Sequence, residues 1–291
     1  MEPNKKTILI ALIAMIFLAS IASAKYITLA QTLSMERIIL GNETTMNLTL
    51  NNQGDEAAYE VQLSLILPDG MVSQPVYLGK MDPNIPQNAI FNITISPGLK
   101  SGGYTLAILT EYKDANGYQF SSVTPNYLVI KESHSSQVDA TVSQEEVGNK
   151  GEIKKITVSL RNMDQLDHDV KIRIYAPKEL KINPEEKTLT VKARDSPQTD
   201  FEISSFGALP GSSYVVFASV DYDEGGIHYT STASGLIKVV EQKEAFSFRN
   251  EWIAIIVVVI LVVAVIAFQF IGRPKQKSGV PEDRPQRGNG K

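Results

Sequence analysis

Along the middle of this chain, apolar and polar residues alternate one for one in short runs. Thr45 to Leu50 reads T-M-N-L-T-L, which puts Met46, Leu48 and Leu50 on one side of an extended segment. Val61, Leu63 and Leu65 alternate with Gln62 and Ser64, and Phe91, Ile93 and Ile95 repeat the pattern. Tyr104, Leu106 and Ile108 do so again. Successive strand side chains point to opposite faces, so runs like these predict strands with one face buried and one wet. Turn formers punctuate them: Asn52-Gln53-Gly54-Asp55, Pro68-Asp69-Gly70, Ser96-Pro97-Gly98 and Asp114-Ala115-Asn116-Gly117. Nothing between Lys25 and Gln242 keeps a period of 3.6. Short alternating runs without helices between them predict an antiparallel sandwich and exclude an α/β sheet.

The pattern occurs twice, at an offset of about 110 residues. Leu48, Leu50 and Asn52 return as Val158, Leu160 and Asn162. Val61, Leu63, Leu65 and Pro68 return as Val170, Ile172, Ile174 and Pro177, one residue out of step. Phe91 and Ile93 return as Phe201 and Ile203, and Tyr104 and Tyr112 as Tyr214 and Tyr222. This divides the chain into one unit over 25–131, a polar linker at 132–136, a second unit over 137–240 and a polar segment at 241–251.

Gly41, the alternating strand ending in Asn52, the aliphatic strand ending in Pro68 and Gly103-Tyr104 together resemble membrane-anchored CARDB-like and NEW-type immunoglobulin-like surface proteins. Archaeal S-layer-domain-like proteins are among these. The second copy supplies Gly151, Asn162, Pro177 and Gly211 to Tyr214. The resemblance implies an immunoglobulin-like sandwich and a surface, adhesion or scaffold role. It implies no activity, because the fold hosts many functions. The expected fold class is therefore all-β: two tandem immunoglobulin-like antiparallel sandwiches, an N-terminal signal or hydrophobic helix, and one C-terminal transmembrane helix.

The ends of the chain set the expected topology. Lys5 and Lys6 precede an apolar run from Ile8 to Ala19, and Ala22-Ser23-Ala24 offers the small residues that signal peptidase requires. Residues 1–24 read as an export signal cleaved after Ala24, or as an uncleaved hydrophobic helix with the same orientation. Trp252 to Ile271 carries no charged residue. As a helix it spans about 30 Å, the thickness of the bilayer core. Arg273, Lys275, Lys277, Arg284, Arg287 and Lys291 follow it, so the Pro/Gly-rich tail at 272–291 is expected in the cytoplasm. The expectation is a single-pass cell-membrane protein with its β body outside, touching lipid through residues 252–271.

Composition removes several function classes. The net charge of −4 makes no electrostatic case for nucleic acid. With no cysteine there are no disulfides, thiolate metal sites or cysteine nucleophiles. The three histidines, His134, His168 and His228, do not fall at metal-ligand spacing and none lies near an obvious nucleophile. No catalytic or cofactor site is expected. Asp221, Asp223 and Glu224 form an acidic cluster that could hold calcium, against the simpler reading of turn-forming acids, as does Asp164 to Asp169. Asn42, Asn47 and Asn92 begin N-x-Thr sequons and are glycosylation candidates. Tyrosines recur in both copies, including Tyr118 and Tyr229; they suit core packing, or stacking on sugar rings. The leading expectation is a non-enzymatic surface protein with a cell-envelope or membrane-protein partner. The alternatives are an accessory subunit of a membrane complex such as a transporter, and a carbohydrate-binding surface module.

Overall fold

In β2 (Glu43–Asn52) the sequence alternation becomes an alternation of burial: Met46, Leu48 and Leu50 are sealed from solvent while Thr45 and Asn47 are exposed. The computed structural model describes residues 25–242 and the single helical position Ile260. The signal segment with its cleavage point, the rest of the apolar span and the basic tail lie outside the described residues. Among the described residues no helix is long and apolar enough to cross a membrane. Residues 25–242 form 17 strands and no helix.

The first half contributes β1 (Leu29–Met35), β2, β3 (Ala58–Ile66), β4 (Met71–Val72), β5 (Val76–Met81), β6 (Gln87–Ile95), β7 (Ser101–Lys113) and β8 (Gln119–Ile130). The second contributes β9 (Val138–Val142), β10 (Glu145–Gly148), β11 (Lys154–Asn162), β12 (His168–Tyr175), β13 (Leu180–Asn183), β14 (Glu186–Val191), β15 (Gln198–Ser205), β16 (Ser213–Glu224) and β17 (Ile227–Val240). One four-stranded sheet runs β1-β2-β6-β4, and its counterpart runs β9-β11-β15-β13. Facing them, β5-β3-β7-β8 and β14-β12-β16-β17 belong to a single nine-stranded sheet, with β10 along β17. Pairing within each half is antiparallel except for β10 on β17 and the isolated parallel bridge of Ile39 to Ile130.

Each half closes its own core between its two layers. Met46, Leu48 and Phe91 from one sheet meet Leu63, Leu106 and Ile108 from the other. Ile156, Val158 and Phe201 meet Ile172, Val216 and Val220 in the same way. Phe91 and Phe201, both fully enclosed, sit at equivalent places; truncating either to alanine would cost about 3–5 kcal/mol.

The repeated asparagine has a structural reason. Asn52 is buried; its Nδ2 donates to the Glu56 carbonyl at 2.7 Å, and its Oδ1 accepts the Gly54 N–H at 3.1 Å. Asn162 makes the same two bonds, to the Leu166 carbonyl at 2.8 Å and from the Asp164 N–H at 2.8 Å. Both also reach a carbonyl in the outer strand, Met81 at 3.4 Å and Val191 at 3.3 Å. A single amide thus closes the turn after the strand and satisfies buried backbone that would otherwise be orphaned.

The step out of register has a reason too. The pairing of β3 with both its neighbours shifts between Ala58 and Gln62, and Glu60 takes a left-handed φ of 50° there. No shift interrupts β12 against β14 or β16. The first half carries a β-bulge that the second lacks, which inserts one residue and re-aims Glu60.

Candidate functional site

The most distinctive chemistry lies along the seam between the halves. β17 runs parallel to β7, with Ile227 opposite Ser101 and His228 opposite Gly102. This contact joins the two halves' sheets into one. It requires glycine at 102: φ is 137°, and a Cβ there would sit 1.9 Å from the His228 carbonyl oxygen. Beside it the Thr105 and Thr230 hydroxyls share a buried hydrogen bond at 2.9 Å.

Behind this contact the outward faces of the two halves of that sheet meet. Ala107, Leu109 and Val123 of the first half pack on Tyr175 and Phe217 of the second, whose rings stack at 4.5 Å. Polar clusters flank this apolar patch. In one, Tyr104 lies against His228, His228 Nδ1 is 2.7 Å from Asp223 Oδ1, and Lys100 Nζ is 2.7 Å from Asp223 Oδ2. Asp221 Oδ1 stands 3.6 Å from His228 Nε2. Burial alone would lower the His228 pKa, but the two carboxylates outweigh it and hold the imidazole above its usual value. Burial would raise Asp223; the Lys100 and His228 hydrogen bonds outweigh it and hold the carboxyl low. The Tyr104 phenol is pushed up to about 12 by burial and then by the Asp223 charge.

In another cluster, the turn after β12 carries Glu179, buried despite its charge. Its Oε1 accepts the Ser121 N–H at 2.6 Å and its Oε2 accepts the Ser121 hydroxyl at 2.5 Å. The Ser121 hydroxyl in turn accepts the Lys178 N–H at 2.7 Å. Lys178 Nζ reaches Glu111 at 2.6 Å. Beside this latch lies a groove of about 430 Å³ walled by Tyr112, Tyr118, Phe120, Phe206 and Tyr214. A second hollow of about 690 Å³ shares Tyr112, Phe120 and Tyr214 with it. Burial, and then the Glu179 charge, push the Tyr214 phenol up to about 12 and raise Tyr112.

The acidic cluster read from the sequence is divided by the strand pleat. Asp221 and Asp223 face the seam and engage His228, whereas Glu224, on the other face of β16, lies 3.9 Å from His168 Nδ1. His168 Nε2 meets Asp164 at 3.2 Å. Asp164, His168 and Glu224 thus hold ligand atoms close enough to share a cation. Each imidazole nitrogen already faces one of the two carboxylates, and the ring packs on Tyr222 at 4.4 Å, which makes a structural histidine. His134 pairs with Glu132 at 3.2 Å. Asn42, Asn47 and Asn92 are all exposed, and Asn47 and Asn92 point from the outer face of the first half's small sheet. Tyr104, Tyr214 and Tyr222 are buried and Tyr118 is exposed.

Sequence reasoning did not single out Lys100, Ser121, Glu179 or the apolar seam. One signal was present. Tyr104 to Thr110 is buried on both faces, and Leu106-Ala107-Ile108-Leu109 and Val215-Val216-Phe217-Ala218 interrupt the alternation with continuous apolar runs. A strand covered on both sides reads that way.

No protein-family model and no curated protein matches this chain. Among solved structures it is similar to a protein of unknown function from Porphyromonas gingivalis W83, at 12% identity and a TM-score of 0.31, over 72% of this chain and 99% of that one. It is also similar to Salmonella alpha-2-macroglobulin mutant Y1175G, at 9% identity and a TM-score of 0.32; 73% of this chain is matched but only 16% of the macroglobulin. A FixG-related protein from Vibrio parahaemolyticus matches 36% of this chain over 97% of its own, at 15% identity and a TM-score of 0.27.

Proposed function

We propose that this is a non-enzymatic cell-surface protein, a rigid β body displayed outside the cell on a single membrane span at 252–271, serving an adhesion or envelope-scaffold role. The observation that carries this reading is the nine-stranded sheet shared by the two halves. Two modules joined by pairing, a buried apolar patch and a latched carboxylate hold one orientation, which suits a spacer or presenting surface. The immunoglobulin-like and CARDB-like character of each half is part of the proposal. Three features support it. The strand order β1-β2-β6 faces β5-β3-β7-β8, as in sandwiches of that kind. The second half repeats it. The Tyr104 hydroxyl donates back to the Lys100 carbonyl at 2.8 Å, the corner such folds make at the start of this strand.

Protease treatment of intact cells carrying a C-terminal tag tests the topology. The body should be digested while a tagged fragment containing 252–291 survives inside. A body protected in intact cells and cut only after lysis would overturn the reading. Crosslinking in intact cells should then recover an envelope or membrane-protein partner.

A further inference from the structure

We propose that the aromatic groove beside the Glu179 latch binds a neutral oligosaccharide. This goes beyond the display role and does not depend on where the protein resides. Exposed aromatic rings are the first indication. Phe206 is 78% exposed and Tyr118 is 56% exposed, although both belong to a recessed wall. Each ring stands on a fixed backbone. The Phe206 N–H donates to the Glu179 carbonyl at 2.8 Å, and its residue bridges to Lys150. Tyr118 is held in its turn by its N–H to Asp114 Oδ1 at 2.8 Å and by its carbonyl, which accepts the Asp114 N–H at 3.1 Å. With the backbone fixed, an aromatic ring has only two side-chain torsions to order on binding, and it offers a flat apolar face to the C–H face of a pyranose.

Charge selects the ligand class. Five charged side chains line the groove, and each has a protein partner. Glu60 pairs with Lys113 at 2.5 Å, Glu111 with Lys178 at 2.6 Å, and Glu179 accepts two hydrogen bonds from Ser121. An ionic ligand would have to break one of these pairs. A neutral polyol need not: Gln62 and Gln119 supply amides for hydroxyl groups. The adjoining hollow, which shares Tyr112, Phe120 and Tyr214, extends the site beyond a single sugar.

The test uses the full chain in phosphatidylcholine nanodiscs, titrated calorimetrically with maltohexaose, cellohexaose and hexa-N-acetylchitohexaose, and with a hexagalacturonate as the charged arm. At least one neutral hexasaccharide should bind, and hexagalacturonate should bind more weakly or not at all. Tyr118→Ala and Phe206→Ala should each weaken binding by about tenfold, the loss of one stacking platform. Both rings are exposed, so the melting midpoint should not move. Tyr77→Ala, an exposed tyrosine outside the groove, should leave affinity unchanged. No binding of any neutral hexasaccharide, binding indifferent to both groove variants, or preference for hexagalacturonate would each overturn the proposal.

Discussion

The Tyr104 ring lies flat on the His228 imidazole across the seam, with centroids 4.1 Å apart and planes 8° from parallel. Around the same imidazole stand Asp221 and Asp223, with Lys100 on the far side of Asp223. The stacked pair thus couples the first half's tyrosine to a charge cluster of the second.

Stability should therefore depend on pH through His228. Its folded pKa is raised above the usual 6.5, so the protonated form is favoured in the folded state. That contribution is fully present below the unfolded value and is lost as pH rises through the folded one. Asp223 acts in the other direction: its lowered pKa gives a contribution present above 3.8 and lost as pH falls through the folded value. The melting midpoint should decline as pH rises from the usual imidazole value of 6.5 through the higher folded one, and His228→Gln should flatten that decline. A wild-type slope retained in full by His228→Gln would remove the assignment.

Gly102→Ala should be among the most damaging single changes, at about 2–4 kcal/mol. The added methyl would meet the His228 carbonyl at 1.9 Å in a backbone conformation that L side chains rarely adopt. Gly98→Ala is the control: nothing lies within 4 Å of where its methyl would stand, and it should change stability by less than about 0.5 kcal/mol. Urea titrations of both variants check the contrast.

Asn52→Ala and Asn162→Ala should destabilise by similar amounts, about 2–3 kcal/mol each, because each strands one buried backbone carbonyl and at least one half-buried one. Substitution by aspartate should be worse, since a carboxylate cannot donate to those carbonyls. Denaturant midpoints would show whether the two copies respond alike.

Chelator should leave the melting midpoint unchanged. Lys100 and His228 engage Asp223, His228 faces Asp221, and the two ring nitrogens of His168 face Asp164 and Glu224, so each carboxylate already has a protein partner where calcium would sit. A fall in the midpoint with EDTA, restored by added calcium, would show otherwise.

At the three sequons, whose asparagines are exposed, peptide mass spectrometry of protein from its native cells is expected to find glycan on Asn47 and Asn92. Both side chains project from one outer sheet face. Asn42 should be the poorest acceptor once folded, because Thr44 of its sequon is buried. Unmodified peptides at all three positions would remove the glycoprotein reading.

Much of the fold was legible in particular residues. Met46-x-Leu48-x-Leu50 announced an inward face, and the return of Asn52 as Asn162 marked the repeat. The missing residue between Leu65 and its counterpart Ile174 recorded a bulge whose place, at Glu60, only the pairing revealed. The groove was poorly legible. Tyr112, Tyr118 and Tyr214 stand out as recurring tyrosines, but Phe206 and Glu179 join them only through the packing of the turn after β12 on β8.

By itself, the sequence determined the local period, the turns, the inward faces and the twofold repetition. These depend on residues near one another along the chain, where the strand geometry translates order directly into direction. The tertiary structure alone decided what happens to the outward faces. Whether Leu109, Phe217 or Asp223 meets water or another sheet depends on contacts more than a hundred residues apart in the chain, such as Lys100 with Asp223. Glycine at 102 permits the backbone approach of β7 to β17 that makes this part of the seam, a contact no local pattern announces.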